Sequence, residues 1–465
     1  MAKQSEPPAL DPAARGGTSS GATPAREPDI TGAASDVLGA RAAPPRGFAS
    51  LAPLRHRNYA LLWSGGLVSI IGSWMQTVAV GALVIAHTGQ ATWAVLVAAG
   101  AFLPIGLLSP VGGALADRIP RRAALVTGNL AAAVVALVIA VLVADGRDGP
   151  GVLTLLVTVQ GCVSALINPF QQAILPDLVP RHEFLAAVSL NSAQYNLGRV
   201  IGPALAGATV AAFGYPIAFV ANAVSFLAVV IALCFIRLAP PPGRHERLGM
   251  AESLRLGFRA ARGEPGCRAA IGIIAVVGLL ASPFIALVPA MAHRLSDGGA
   301  RAIASATGLL TTAQGVGAVA GALAVPALAR RFSRGRVLMA SLLLLPLVLV
   351  IYAFSPTLAF GVASLVLVGL IYIGVLSGLS TVVQLRAPGA YRGRVLSFYL
   401  VALGVSYPIG SLVQGPIVDR IGLAWTTVGA AGLLAATLAC LRVLRPGVFK
   451  VLAAPVAAEA PAPAE

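Results

Sequence analysis

GGALADRIPRR, Gly112 to Arg122, is a handful of polar residues set between two apolar runs, and its reading decides the fold. The residues before it, from 92 onward, are apolar over the length of a membrane-crossing helix, and so are those after it, from 122. The segment is therefore a tight turn between two hydrophobic rods. Asp117 is its only acid, beside Arg118, Arg121 and Arg122, while Gly112 and Gly113 are small enough to let neighbouring helices approach closely.

The rest of the chain repeats the pattern. With 465 residues, 57% of them hydrophobic and 11% charged, and a mean hydropathy of +0.85, almost nothing remains from which to build a folded aqueous domain. Apolar length places twelve spans at 60–86, 92–116, 122–144, 151–176, 184–212, 215–237, 268–292, 302–328, 335–353, 357–385, 393–418 and 422–444. The net charge of +16 would suggest nucleic acid in a soluble protein. Here most arginines fall in the loops on one side, against Arg147, Arg294, Arg301 and Arg420 on the other. That bias predicts a multi-pass membrane protein with both termini cytoplasmic, and no nucleic-acid partner.

Residues 1–50, rich in Ala, Pro, Gly and Ser, and 446–465 are expected to be disordered cytoplasmic tails. Between them lie a first set of six spans over 51–237, a linker over 238–267, and a second set over 268–445. In the linker, PPPGRHERLGMAESLRLGFRAARGEPG puts Leu254, Phe258 and Ala261 on one helical face and Arg255, Arg259 and Arg262 on another. This reads as an amphipathic helix on the bilayer surface or a solvated connector. A shift of 208 residues superposes Pro180 on Pro388, Ser189 on Ser397, Gly202 on Gly410, Gly207 on Gly415 and Gly214 on Gly422, so the fifth and eleventh spans read as two copies of one element.

NSAQYNLGRVIGPALAG, Asn191 to Gly207, holds the one charge placed deep in a span. Gly198, Gly202 and Gly207 line a helix with small residues, and Pro203 removes a backbone donor, so a close-packed, bent helix follows. Arg199 must face protein or water; it reads either as a contact for an anionic or polar ligand or as a cation that ties helices together. Gln194, with Gln76, Asn168 and Tyr372, supplies polar groups in apolar surroundings, and each serves ligand binding or interhelical hydrogen bonding. Trp74 lines a pocket beside Gln76 or simply packs.

Several chemistries find no support. GVGAVAG, Gly315 to Gly321, follows no strand and reads as helix packing, not a dinucleotide loop. No ATP-binding loop, HExxH pair or ligand-spaced cysteine cluster occurs among the five His and four Cys, so neither an enzyme nor a metal or other cofactor is expected.

The opening stretch resembles the GxxxDRxxRR loop of the major facilitator superfamily, with matches at Gly113, Asp117, Arg118, Arg121 and Arg122. Asn191–Gly207 resembles the GxxxGP motif of that superfamily's exporters. LRHRNYALLWSGGLVSIIGSWMQTVAVGALV at the first span, PFQQAILPDLVPRHEFLAAVSLN after the fourth and YRGRVLSFYLVALGVSYPIGSLVQGPIVDRIG at the eleventh are similar to the bacterial branch of enterobactin exporters and macrolide efflux proteins.

The resemblance implies an all-α membrane protein of twelve helices in two pseudo-symmetric bundles, a secondary transporter exporting a small organic molecule by alternating access. Nutrient uptake on the same fold is the alternative, and a membrane sensor or enzyme a more distant one. It makes Gln76, Asn168 and Tyr372 candidates for the substrate pocket, beside Trp74, Gln194 and Arg199 from the reading of the residues themselves. Gly113, Asp117, Arg118, Arg121 and Arg122, with Asp177, become a conformational latch. The partners it implies are the lipid bilayer, a small-molecule substrate and protons, with the chain acting as a monomer. The chain departs from the drug–proton antiporters in having no carboxylate in mid-span, so coupling would fall to Asp117, Asp177, Glu183 or Asp419.

Overall fold

The computed structural model describes residues 47–116, 118–236 and 250–453. Asp117, most of the expected amino-terminal tail, the linker up to residue 249 and the last twelve residues lie outside the described residues. The helices that matter below are α1 (Arg57–Thr88), α2 (Ala91–Ala116), α3 (Arg121–Ala144), α4 (Pro150–Ile174), α5 (Phe184–Phe213), α6 (Tyr215–Phe235), α7 (Met250–Gly263), α8 (Pro265–Leu280), α9 (Val288–Leu295), α10 (Ala300–Phe332), α11 (Arg334–Ala353), α12 (Leu358–Arg386), α13 (Arg392–Ile421), α14 (Leu423–Leu444) and α15 (Pro446–Ala453).

Among the described residues ten helices are long and apolar enough to cross a membrane, and a bent pair across α7 and α8 makes an eleventh candidate. Two of the twelve expected spans depart from that description. The fifth is a continuous helix, α5, but Asn191, Gln194, Asn196 and Arg199 dilute its hydropathy. The seventh, expected unbroken over 268–292, is cut into α8, a 3-10 turn at Ser282–Ile285 and α9. Pro283 and Pro289 mark the break: each lacks the N–H that would carry the helical ladder on, and each sits in the first turn of a new helical piece. Ser282 Oγ donates to the Val277 carbonyl at 3.2 Å and pairs with Tyr372 Oη at 2.7 Å, so the opened turn is satisfied from the side.

The repeat seen in the sequence is physical. In the first set α1 packs on α5 and α6, α2 on α4, and α3 on α4 and α6; in the second α8 packs on α13 and α14, α10 on α12, and α11 on α12 and α14. The contacts between sets obey the same relation, α5 on α10 and α2 on α13. Glycine pairs related by the 208-residue shift do the same job. A Cβ on Gly202 would meet Ile71 O of α1 at 2.7 Å, and one on Gly410 would collide with Leu279 O of α8. Gly207 faces Ser305 of α10, and Gly415 faces Thr92 and Val95 of α2. Gly214 and Gly422 follow α5 and α13 at φ 85° and 86°, where a side chain would be strained.

Two terminal expectations change. The linker helix α7 does not lie free: its Gly257 faces Arg394 and Phe398 of α13, Phe258 stacks edge-on with Phe398 at 6.0 Å, and Ala261 is buried. It turns through 103° into α8, where Glu264 caps the new helix by accepting from Cys267 N. The segment from 446, expected to be disordered, opens with α15. Its Leu452 is buried, with Val448 one turn earlier packed against the same core, and Arg386 donates to the Val451 carbonyl at 2.6 Å. Apolar residues four apart give this short helix a face to bury.

Candidate functional site

A cavity of about 230 Å³ lies between the two helix sets. From the first set α1 contributes Trp74, Gln76 and Thr77, α2 contributes Phe102, α4 Gln160 and Ser164, α5 Tyr195 and α6 Asn222; the second set supplies Thr307 and Thr311 of α10, Tyr407 of α13 and the residues at the break of the seventh span, among them Ile285 and Pro289. The break is what brings the roof down, since Gly81 of α1 sits directly under Pro289.

Two aromatic pairs frame the space. Trp74 meets Tyr195 edge-on at 5.9 Å, and Phe102 meets Tyr407 edge-on at 5.8 Å, the second pair bridging the two sets. The polar wall is uncharged. Gln76 Oε1 accepts from Asn222 Nδ2 at 2.7 Å, which fixes the Gln76 amide at the wall, and Ser225 Oγ in turn donates to Asn222 Oδ1 at 3.0 Å. Thr77, Thr307 and Thr311 each donate to a carbonyl one turn back. With their hydrogens so committed, these oxygens are left as acceptors only. Gln160 Oε1 is buried with no hydrogen-bond partner among the described residues, a group that an occupant bearing a donor would satisfy.

Of the sequence candidates, Trp74 and Gln76 line the cavity. Arg199 stands one turn beyond Tyr195 on the same helix face, half-buried, within electrostatic reach of Tyr195, Tyr372 and Tyr407. Pro203 cannot donate to the Arg199 carbonyl, and Gly315 of α10 packs against that carbonyl instead. Asn168 is half-buried outside the wall, yet it extends the α4 stripe of Gln160 and Ser164 at four-residue spacing. Gln194 and Tyr372 lie elsewhere: Gln194 donates to the Trp63 carbonyl, and Tyr372 braces the break at Ser282. Gly198 and Gly202 seat α5 on α1, while Gly207 and the Pro203 carbonyl meet α10.

The arginine turn is partly assembled. Arg121 forms an ion pair with Asp177 at the end of α4, and Arg122 Nη2 donates to the Cys234 carbonyl at 3.2 Å. Gly112 packs on the backbone of Ala165 and Leu166, Gly113 faces open space, and Arg118 is exposed. At the opposite end of the molecule the two sets are tied together. Asp419, last turn of α13, accepts from Ala91 N at 2.6 Å, from Thr92 N at 3.0 Å and from Thr92 Oγ1 at 2.5 Å, so it caps α2 across the interface. Tyr215 Oη donates to the Ala300 carbonyl at 2.7 Å nearby.

A profile of the transmembrane secretion effector family matches residues 48–462. The chain is 25% identical to the multidrug efflux pump Tap of Mycolicibacterium fortuitum, over 78% of this chain and 90% of that one. It is 27% identical to the enterobactin exporter EntS of Escherichia coli O1:K1 / APEC, over 81% and 88%. Among solved structures, a bacterial homologue of the human lysosomal transporter Spinster, inward-facing and unoccupied, superposes with a TM-score of 0.64 at 15% identity, covering 85% of this chain and 97% of that one. A bacterial homologue of the iron transporter ferroportin, inward-facing, gives 0.61 at 17% identity, covering 86% and 99%.

Proposed function

The chain belongs to the transmembrane secretion effector family of the major facilitator superfamily, and from that premise we propose that it exports a small organic molecule across a bacterial inner membrane by alternating access. The observation that carries this reading is the cavity between the sets: framed by aromatics from both, bordered by neutral polar groups, and tied shut at the Asp419 end. A site shared by two related helix sets near mid-span is what a rocking transporter needs. On this reading the arginine-rich loops lie inside and the Asp419 end faces outward, and the contacts that close that end support loading from the cytoplasm.

Flux measured in proteoliposomes, with dyes and arenes as candidate cargo and with or without an imposed pH gradient, tests the proposal. Accumulation on the extracytoplasmic side is expected. No flux of any compound in either direction would end it. A response to the gradient would run through carboxylates at the span ends, Asp177, Glu183 or Asp419, because the cavity wall holds none.

On this reading the Arg121–Asp177 pair holds α3 against α4 in one state and is released in the other. Asp177→Asn is expected to slow turnover about fivefold while leaving ligand affinity within about twofold. Unchanged turnover would show the pair to be a passive surface contact.

A further inference from the structure

Away from the cavity, a groove of about 550 Å³ opens on the second helix set where α8, α14 and α15 meet. Its walls change character with depth. Arg268, in the first turn of α8, and Arg445, the residue that ends α14, stand at the ends of their spans, the level at which a bilayer has its headgroups. Ala269 and Ile273 of α8 and Leu441 of α14 carry the groove on toward mid-span, and Val448 and Val451 of α15 supply its third wall.

Both guanidinium groups have donors to spare. Arg268 spends Nη1 on the Arg262 carbonyl at 3.2 Å, and the Arg445 side chain has no hydrogen bond or ion pair with any described residue. No acid among the described residues lines the groove. Glu264, at the elbow beside it, is taken up by Cys267 N and Arg386. Two absent side chains keep the trough open, since a Cβ on Gly272 or Gly447 would meet nothing within 4 Å. A soluble anion would use the arginines and leave the apolar walls bare, whereas a hydrocarbon alone would leave the arginines unmatched. A molecule with a phosphate at one end and an acyl chain at the other satisfies both.

We propose that this groove binds an anionic phospholipid of the surrounding bilayer, its phosphate held between Arg268 and Arg445 and an acyl chain laid along Ile273 and Leu441. The lipid joins α8 to the end of α14, beside the bend of 103° at which α7 enters the second set. The site is separate from the cavity, and the assignment holds whatever the cavity carries.

The test is native mass spectrometry of the full chain in detergent, titrated with dioleoylphosphatidylglycerol, dioleoylphosphatidylcholine or inorganic phosphate. Phosphatidylglycerol is expected to bind about tenfold more tightly than phosphatidylcholine, and excess phosphate should not displace it. Arg268→Gln combined with Arg445→Gln should cut the preference to about twofold or less; both residues are exposed, so the variant should fold. Gly272→Leu, which fills the trough and keeps both arginines, should weaken both lipids about fivefold. Arg259→Gln, an exposed arginine of α7 outside the groove, should leave the preference intact.

Equal affinity of the two lipids in the unaltered chain overturns the proposal. Displacement by phosphate does so too, because it would make this a simple anion site. So does an Arg259→Gln loss as large as that of the double variant, which would mean diffuse surface charge, or a Gly272→Leu chain that binds as before. Binding is read without flux: lipid preference in a chain that moves nothing would end the export reading and leave this one standing, and flux without lipid preference would do the reverse.

Discussion

Gly317→Val is expected to cost about 3 kcal/mol or more of stability and to abolish most folded, monodisperse protein. A Cβ at Gly317 would run into the Val366 carbonyl of α12; one at Gly321 would lie 2.6 Å from Leu370 O; and, reciprocally, one at Gly369 would run into Gln314 O of α10. All three obstacles include backbone, which has no rotamer to change, so α10 and α12 would have to separate along their length. That separation opens the core of the second set, where Leu310, Leu365 and Val368 are fully buried. Gly432→Val is the control, since Gly432 on α14 is exposed with nothing near its missing side chain. Thermal unfolding in detergent should show a large loss for the first variant and little for the second. A Gly317→Val protein melting with the unaltered chain would mean that the two helices are not in backbone contact.

The same glycines show what was legible in the sequence. GVGAVAG reads as packing because it sits inside an apolar run, and all three of its glycines do meet a neighbouring helix, Gly315 on α5 and the other two on α12. The 208-residue relation also survives in detail, down to matching positive φ at Gly214 and Gly422. The break in the seventh span was hidden for a simple reason: Ser282–Pro289 is as apolar as its surroundings, so hydropathy does not register the prolines that mark it.

The cavity was half legible. Trp74 and Gln76 were visible as polar or aromatic groups in the first span, but Phe102 and Tyr195 were not, because an aromatic residue in an apolar helix looks the same facing lipid, core or cavity. Gln160 carried a signal that went unused: with Ser164 and Asn168 it forms a polar stripe at helical spacing on α4. Gln194 and Tyr372 illustrate the opposite outcome. Each is polar and buried, and each spends its hydrogen bond holding one helix against another.

Asp419→Ala is expected to slow export about tenfold or more without the loss of folded protein seen for Gly317→Val. Asp419 belongs to the second helix set and the amide groups it accepts from belong to the first, so these bonds exist only while that end is shut. Removing the carboxylate leaves the first N–H groups of α2 uncapped at the positive end of the helix. Hydrogen bonds to a charged acceptor are worth about 1.5–3 kcal/mol each when shielded; with Thr92 exposed to water, a total of about 2 kcal/mol is the reasonable expectation. Such a change moves a two-state equilibrium about thirtyfold toward the state open at that end.

A cysteine placed at Thr311 in the cavity wall, in a chain whose four native cysteines are replaced by serine, reports the shift. A membrane-impermeant thiol reagent added from the Asp419 side should label it faster in Asp419→Ala than in the parent. Asp419→Asn, which keeps one acceptor oxygen, should fall between. If labelling and flux both match the parent, the cap is a local helix feature, and closure of that end must rest on the glycine-lined contacts of α5 with α10 and of α2 with α13.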